Sequence, residues 1–265
     1  DIVKTHLSQY ATLDNLPDKV AIHINDTHPT LAIPELMRIL LDECGFTWEH
    51  AFDITRRTFA YTNHTVMSEA LETWNRDLFK MRLPRIYQIV EEIDRRFWNE
   101  MRAKGVDEGK IFRMAPLNDG YVKMASLAVI GSHSVNGVSA LHSEILKNDL
   151  FHDFYLEEPQ KFTNVTNGIA HRRWLNQSNP ELAKLITQLI GKDYIYDADK
   201  LQGLLKYQDD AQVLEQLQKI KRGNKERLAA YLKKTQGDVV DPDSIFDVQV
   251  KRLHEYKRQQ MNALE

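Results

Sequence analysis

The sequence predicts an α/β protein in which helix dominates, and three observations carry that expectation. Short alternating apolar runs read as strands, longer runs with apolar residues every three to four positions read as helices, and strand-then-helix order recurs, which favours parallel strands. The first strand is KVAIHIN, Lys19 to Asn25, with Val20, Ile22 and Ile24 on one side. It ends at the polar turn Asp26-Thr27-His28-Pro29. A helix follows, with Pro34 near its first turn and Gly45 just past its end. A second helix is expected from Trp48 to Thr58, then a short strand in FAYTNHT, Phe59 to Thr65.

The longest helix is expected from Leu83 to Ala103, where Leu83, Ile86, Val90, Ile93, Phe97 and Met101 form one apolar face. Val122 to Leu146 reads as two helices around a glycine-bounded turn, Gly131 to Gly137. KFTNVTNGI, Lys161 to Ile169, reads as a strand ending at an Asn-Gly turn. Asn179, Pro180 and Gly191 then mark the cap, first turn and end of another helix. A charged helix is expected from Asp209 to Lys234, burying Val213, Leu217, Ile220, Leu228 and Leu232. Last, SIFDVQV alternates as a strand through Phe246, Val248 and Val250 and feeds the basic stretch VKRLHEYKRQ. There are no repeats.

Composition narrows the function. The 265 residues are 42% apolar and 28% charged, as in ordinary globular proteins. A net charge of −3 argues against a dedicated nucleic-acid binder. No apolar run is long enough to span a membrane, and the first residues lack the apolar core of a signal peptide. The single cysteine, Cys44, excludes an internal disulfide and suits a reducing, cytoplasmic setting. The sequons at Asn25, Asn63 and Asn164 read as chance or local backbone chemistry. With no initiator Met and an end inside a helical pattern, the chain is expected to be a piece of something longer.

Several clusters could carry chemistry. The basic stretch is expected at a strand-to-helix junction, a position that favours anions. Arg252 could grip a phosphate bidentately and Lys257 add a point charge, or the stretch could be a solvated helix face. His254 and Tyr256 between the charges tilt the reading towards a site. His28 with Asp26 suits a substrate-facing pair at a strand end, and Asp26 equally suits an Asx turn. A metal hydrolase built on His23, Asp26 and His28 is the sharper alternative, but that spacing matches no zinc pattern, so no metal is expected. TNHT and TNGI each place an Asn at a strand end, where it could meet sugar hydroxyls or simply turn the chain.

Taken together, the ordered segments NDTHPTLAIPELMRIL, AYTNHTVMSEALETW, GSHSVNGVSALHSEILK, TNVTNGIAHRRWL and FDVQVKRLHEYKRQ closely resemble the α-glucan phosphorylases, over essentially the whole chain. The resemblance implies a helix-rich fragment of a two-domain glycosyltransferase-B-type fold with Rossmann-like domains. Residues 1–168 would end the N-terminal domain, and 169–265 would form the crossover and the start of the C-terminal, cofactor-binding domain. It further implies pyridoxal 5′-phosphate, bound covalently to a lysine outside this chain. Inorganic phosphate would release glucose 1-phosphate from an α-1,4-glucan, in a cytoplasmic parent that is a homodimer and binds neither nucleic acid nor membrane.

By the same resemblance, Arg252 and Lys257 hold the substrate phosphate, Lys251 the cofactor phosphate, and Trp174 packs near the cofactor. His64 and Asn167 grip the glucose 6-hydroxyl, and Tyr256 touches the 2-hydroxyl. Asp26 and His28 line the β side of the sugar, and Val138 lines its site. Glu69 stands behind the site, and His254 matches a residue that contacts a gate loop. The fragment alone is expected to be inactive. The alternative is a stand-alone carbohydrate- or nucleotide-sugar-binding module of the same fold.

Overall fold

The computed structural model describes residues 1–254 and 257–265 and separates into two compact units, Asp1–Gly168 and Ile169–Glu265. In the first, helices α1 (Ile2–Tyr10) and α2 (Leu16–Lys19) precede strand β1 (Ile22–Asn25). Helix α3 (Ala32–Arg38) runs into a π-helical turn over Ile39–Glu43. Helix α4 (Trp48–Thr58) opens at Thr47, whose hydroxyl accepts the His50 N–H, and passes straight into β2 (Phe59–Thr62). Next come β3 (Thr73–Asn75), α5 (Arg76–Arg82), α6 (Pro84–Ala103) and α7 (Glu108–Met114). A small hairpin, β4 (Leu117–Asn118) and β5 (Tyr121–Lys123), leads into α8 (Met124–Ile130). Strand β6 (Ser134–Gly137), helices α9 (Ala140–Ile145) and α10 (His152–Glu157), and β7 (Phe162–Asn164) complete the unit.

The principal sheet has the order β1-β2-β6-β7, and every pair in it is parallel. All four carboxyl ends therefore lie along one edge. A second sheet, β3-β5-β4, is antiparallel. The main sheet is short but well buried: Ile24, Tyr61 and Val135 are inaccessible and belong to one cluster with Ile33, Met37, Val90 and Leu127. Helix α6 contributes Val90, Ile93, Phe97 and Met101, the face its periodicity predicts. Each such side chain contributes about 1.5–3 kcal/mol by leaving water.

One expectation in this unit fails. Ser134–Gly137 is a central strand rather than part of a turn. A central strand of four residues needs only one inward apolar side chain, here Val135, so its pattern is too short to recognise beside flanking glycines and serines.

The second unit holds α11 (Pro180–Ile190), α12 (Ala211–Gln236) and α13 (Gln259–Leu264), with a 3-10 segment over Ala198–Tyr207. Asn179 and Asp210 cap α11 and α12, and Gly191 and Gly237 end them with positive φ. Its core is small. Buried Tyr194 gives its hydroxyl proton to Asn176 Oδ1 at 2.6 Å, and Leu185, Ile186 and Val213 are buried. Along α12 the stripe is less buried than expected, since Leu217 and Leu228 are exposed.

SIFDVQV forms no strand; Val248 and Val250 are exposed. An alternating segment needs a neighbouring strand for its backbone groups, and the described residues of this unit contain none. The basic stretch consequently does not follow a strand. No helix among the described residues is long and apolar enough to cross a membrane.

Candidate functional site at the carboxyl edge of the parallel sheet

The loops leaving β1, β2, β6 and β7 meet along the sheet's carboxyl edge, and backbone hydrogen bonds fix their order. Asp26 N–H donates to Thr62 O at 2.9 Å, Asn63 N–H to Asn136 O at 3.0 Å, and Asn167 N–H to Val138 O at 3.0 Å. Four residues named from sequence, Asp26, His64, Val138 and Asn167, thus fall one to three residues past the ends of β1, β2, β6 and β7, which neighbour one another in that order. Asp26 takes a left-handed φ of 61°, which Asp tolerates better than most residues. Its Oδ1 accepts the Thr27 N–H, one residue on, at 2.7 Å, whereas an Asx turn would take the N–H two residues on. His28, two residues on, is exposed. The exposed His64 pairs through Nε2 with Asn25 Oδ1 at 2.6 Å, bridging the ends of β1 and β2.

Beneath these exposed groups lies a polar layer. Asn63 is inaccessible; its Oδ1 accepts the Thr65 N–H at 3.0 Å and its Nδ2 donates to the Tyr61 hydroxyl at 3.0 Å. Burial pushes the Tyr61 phenol well above its ordinary pKa, so the hydroxyl stays neutral. Thr62 Oγ1 donates to Asn136 Oδ1 at 2.6 Å and accepts from His23 Nε2 at 2.5 Å. His23 is therefore occupied within the sheet. Among the described residues no three His, Cys, Asp or Glu side chains gather in a group that could hold a metal ion.

Two residues of this layer escape sequence reasoning. Buried His142, in the first turn of α9, accepts the Val138 N–H on Nδ1 at 3.1 Å. That bond assigns the proton to Nε2, which lies 3.1 Å from Asn63 Oδ1 and 3.2 Å from Thr65 O. One imidazole thus ties the β2 loop to the β6 loop. Glu72 accepts from Thr27 Oγ1 at 2.6 Å and from Trp74 Nε1 at 2.9 Å, tying the β1 loop to β3. Glu69 is exposed and accepts from Ser68 Oγ at 3.4 Å. A signal for His142 exists in Ser139, which caps α9 by accepting the His142 N–H and so sets this turn against β6. Gly137 permits the approach: a Cβ there would lie 2.6 Å from Ser143 Oγ.

In the second unit Trp174 is exposed within a π-helical turn, Arg172–Gln177. Lys251 and Arg252 are exposed. Lys257 Nζ donates to Arg252 O at 2.9 Å, which brings those two residues together through a backbone oxygen. Lys251, Lys257 and Arg258 line one open concavity with Met261. Arg258 adopts a left-handed φ of 51° just before α13. Tyr256 lies outside the described residues.

The architecture is that of an open α/β domain whose parallel sheet carries a polar carboxyl edge. The carbohydrate phosphorylase family model matches residues 1–265, and the chain belongs to that family. It is 52% identical over 255 residues to the muscle form of glycogen phosphorylase from Bos taurus, covering 95% of this chain and 30% of that protein. It is likewise 52% identical over 264 residues to glycogen phosphorylase from Bacillus subtilis (strain 168), covering 99% of this chain and 33% of that protein. The human muscle form matches at 52% over 255 residues. The chain thus spans about a third of the length of these relatives.

Proposed function

We propose that this chain is the central part of an α-1,4-glucan phosphorylase, and that the carboxyl edge of its parallel sheet is one wall of the glucosyl site. The observation that supports this most is the placement of Asp26, His64, Val138 and Asn167 just past the ends of neighbouring strands, bonded loop to loop. Amide, imidazole and carboxylate groups held in fixed geometry are what recognition of sugar hydroxyls needs. In this reading His64 and Asn167 hold the 6-hydroxyl, Asp26 and His28 line the β face, Val138 packs against the ring, and Tyr256 meets the 2-hydroxyl. We assign Asp1–Gly168 to the end of the N-terminal Rossmann-like domain. Ile169–Glu265 is then the crossover and the start of the C-terminal domain. The parent is read as a cytoplasmic homodimer.

The chemistry proposed is phosphorolysis. Arg252 and Lys257 bind inorganic phosphate, neutralise its charge against a second phosphate, and stabilise charge as the glycosidic bond breaks. Lys251 and Trp174 fit a pyridoxal phosphate in their chemistry, an exposed ammonium for its phosphate and an uncovered indole face for its ring. That group would supply a phosphate that exchanges a proton with the substrate phosphate. In the longer enzyme, Arg252→Ala is expected to lower kcat/KM for phosphorolysis by roughly 10²–10³-fold, the scale of one lost transition-state contact. The 265 residues alone should release no glucose 1-phosphate. Near-normal turnover by the Arg252→Ala enzyme would remove the phosphate role.

A further inference from the structure

The chain contains two Asn-Gly pairs, Asn136-Gly137 and Asn167-Gly168, and the fold treats them in opposite ways. Asn136 lies in the central strand β6. Its Oδ1 accepts from Thr62 Oγ1 at 2.6 Å and its Nδ2 donates to Gly137 O at 2.9 Å. Gly137 is buried, paired opposite Asn164, and pressed against Ser143. Asn167 and Gly168 lie in irregular backbone beyond β7, and both are exposed. Only the Asn167 main chain is held, through its N–H on Val138 O. Among the described residues, neither the Asn167 side chain nor the Gly168 N–H has a hydrogen-bond partner. Nothing lies within 4 Å of where a Gly168 Cβ would sit.

We propose that Asn167 is a site of spontaneous amide-to-acid conversion, with Gly168 supplying the nucleophile. The Gly168 backbone nitrogen attacks Asn167 Cγ and forms a new N–C bond. The Cγ–Nδ2 bond breaks, and Nδ2 leaves as ammonia with the proton from the Gly168 nitrogen. Water then opens the cyclic imide at either carbonyl, giving aspartate or isoaspartate; no oxidant or reductant enters. Glycine favours the step because no Cβ shields its nitrogen and its backbone rotates freely. The same step at Asn136 would require breaking its two side-chain bonds and rotating a central strand. The consequence rests on the sugar-site reading: a carboxylate would replace an amide opposite a hydroxyl, and isoaspartate would also shift the loop.

The conversion is read by peptide mass and isoaspartate labelling, without any activity assay, so its failure and that of the functional reading are separable. The folded chain is held in mildly alkaline buffer beside a urea-denatured sample, and tryptic peptides carrying each pair are quantified. Asn167 is expected to convert on the order of tenfold or more faster than Asn136 in the folded chain, with the two rates converging in urea, because local structure protects one pair only. Gly168→Ala, which fits the open space, is expected to suppress conversion at Asn167 with unchanged circular dichroism. Equal rates at the two pairs in the folded chain, no conversion at Asn167, or indifference to Gly168→Ala overturns the proposal.

Discussion

His142 joins the two loops nearest the centre of the sheet edge. Replacing it by Ala would strand the N–H of half-buried Val138 and one lone pair of inaccessible Asn63, and an unsatisfied buried group costs about 1–3 kcal/mol. His142→Ala should therefore destabilise by about 2–4 kcal/mol in urea unfolding, whereas Leu141→Ala, next door and 74% exposed, should change little. Equal effects would show that the imidazole bonds carry nothing. Asp94 makes an opposite case. Burial raises its carboxyl to about 6, even though Oδ1 accepts the Leu117 N–H at 3.1 Å. A raised carboxylate binds more protons folded than unfolded. Its contribution is therefore full below about pH 4 and is lost as pH climbs through about 6. Asp94→Asn should add about 1 kcal/mol at pH 7, after discounting for partial exposure, and the gain should vanish near pH 4. Thermal melts across that range test it; a gain independent of pH would contradict it.

Among the elements, α8 and β6 depend on how closely α3 approaches. A Cβ at Gly131 would lie 2.6 Å from Ile33 Cγ2 and 2.9 Å from Ile33 Cδ1, both inaccessible. Gly131→Ala should cost about 1–3 kcal/mol through overpacking, measured as a lower urea midpoint at unchanged slope. No loss would mean that Ile33 repacks freely. Nearby, Lys161 anchors the start of β7, its buried Nζ donating to Val129 O at 3.1 Å and pairing with Glu158 at 2.6 Å. Helices α4 and α11, with capping side chains, and α6, with Pro84 in its first turn and one apolar face, are legible in sequence because local chemistry sets them. Strand β6 is not, since its identity depends on two neighbouring strands far away in sequence. SIFDVQV shows the converse: alternation marks a segment able to form a strand, and pairing decides whether it does.

At the scale of the whole molecule, polar residues after strands could be picked out because strand ends are visible locally. Asp26, His28 and the asparagines of TNHT and TNGI, Asn63 and Asn167, stand out that way, and His64 comes from the family resemblance. His142 and Glu72 do not, because their partners lie up to 79 and 45 residues away. The family resemblance supplied what local pattern could not, namely a reason for those strand ends and the basic stretch to occur in one chain. The most direct test of the proposed function uses a full-length phosphorylase carrying these residues. Synthesis-direction kcat/KM is measured with glucose 1-phosphate and its 6-deoxy analogue, for the parent, His64→Ala and Asn167→Ala. A site built to bond the 6-hydroxyl should discriminate strongly against the analogue, by ~10²-fold or more, and each variant should lose most of that discrimination. Discrimination unchanged in both variants would show that the carboxyl edge of this sheet does not read the sugar.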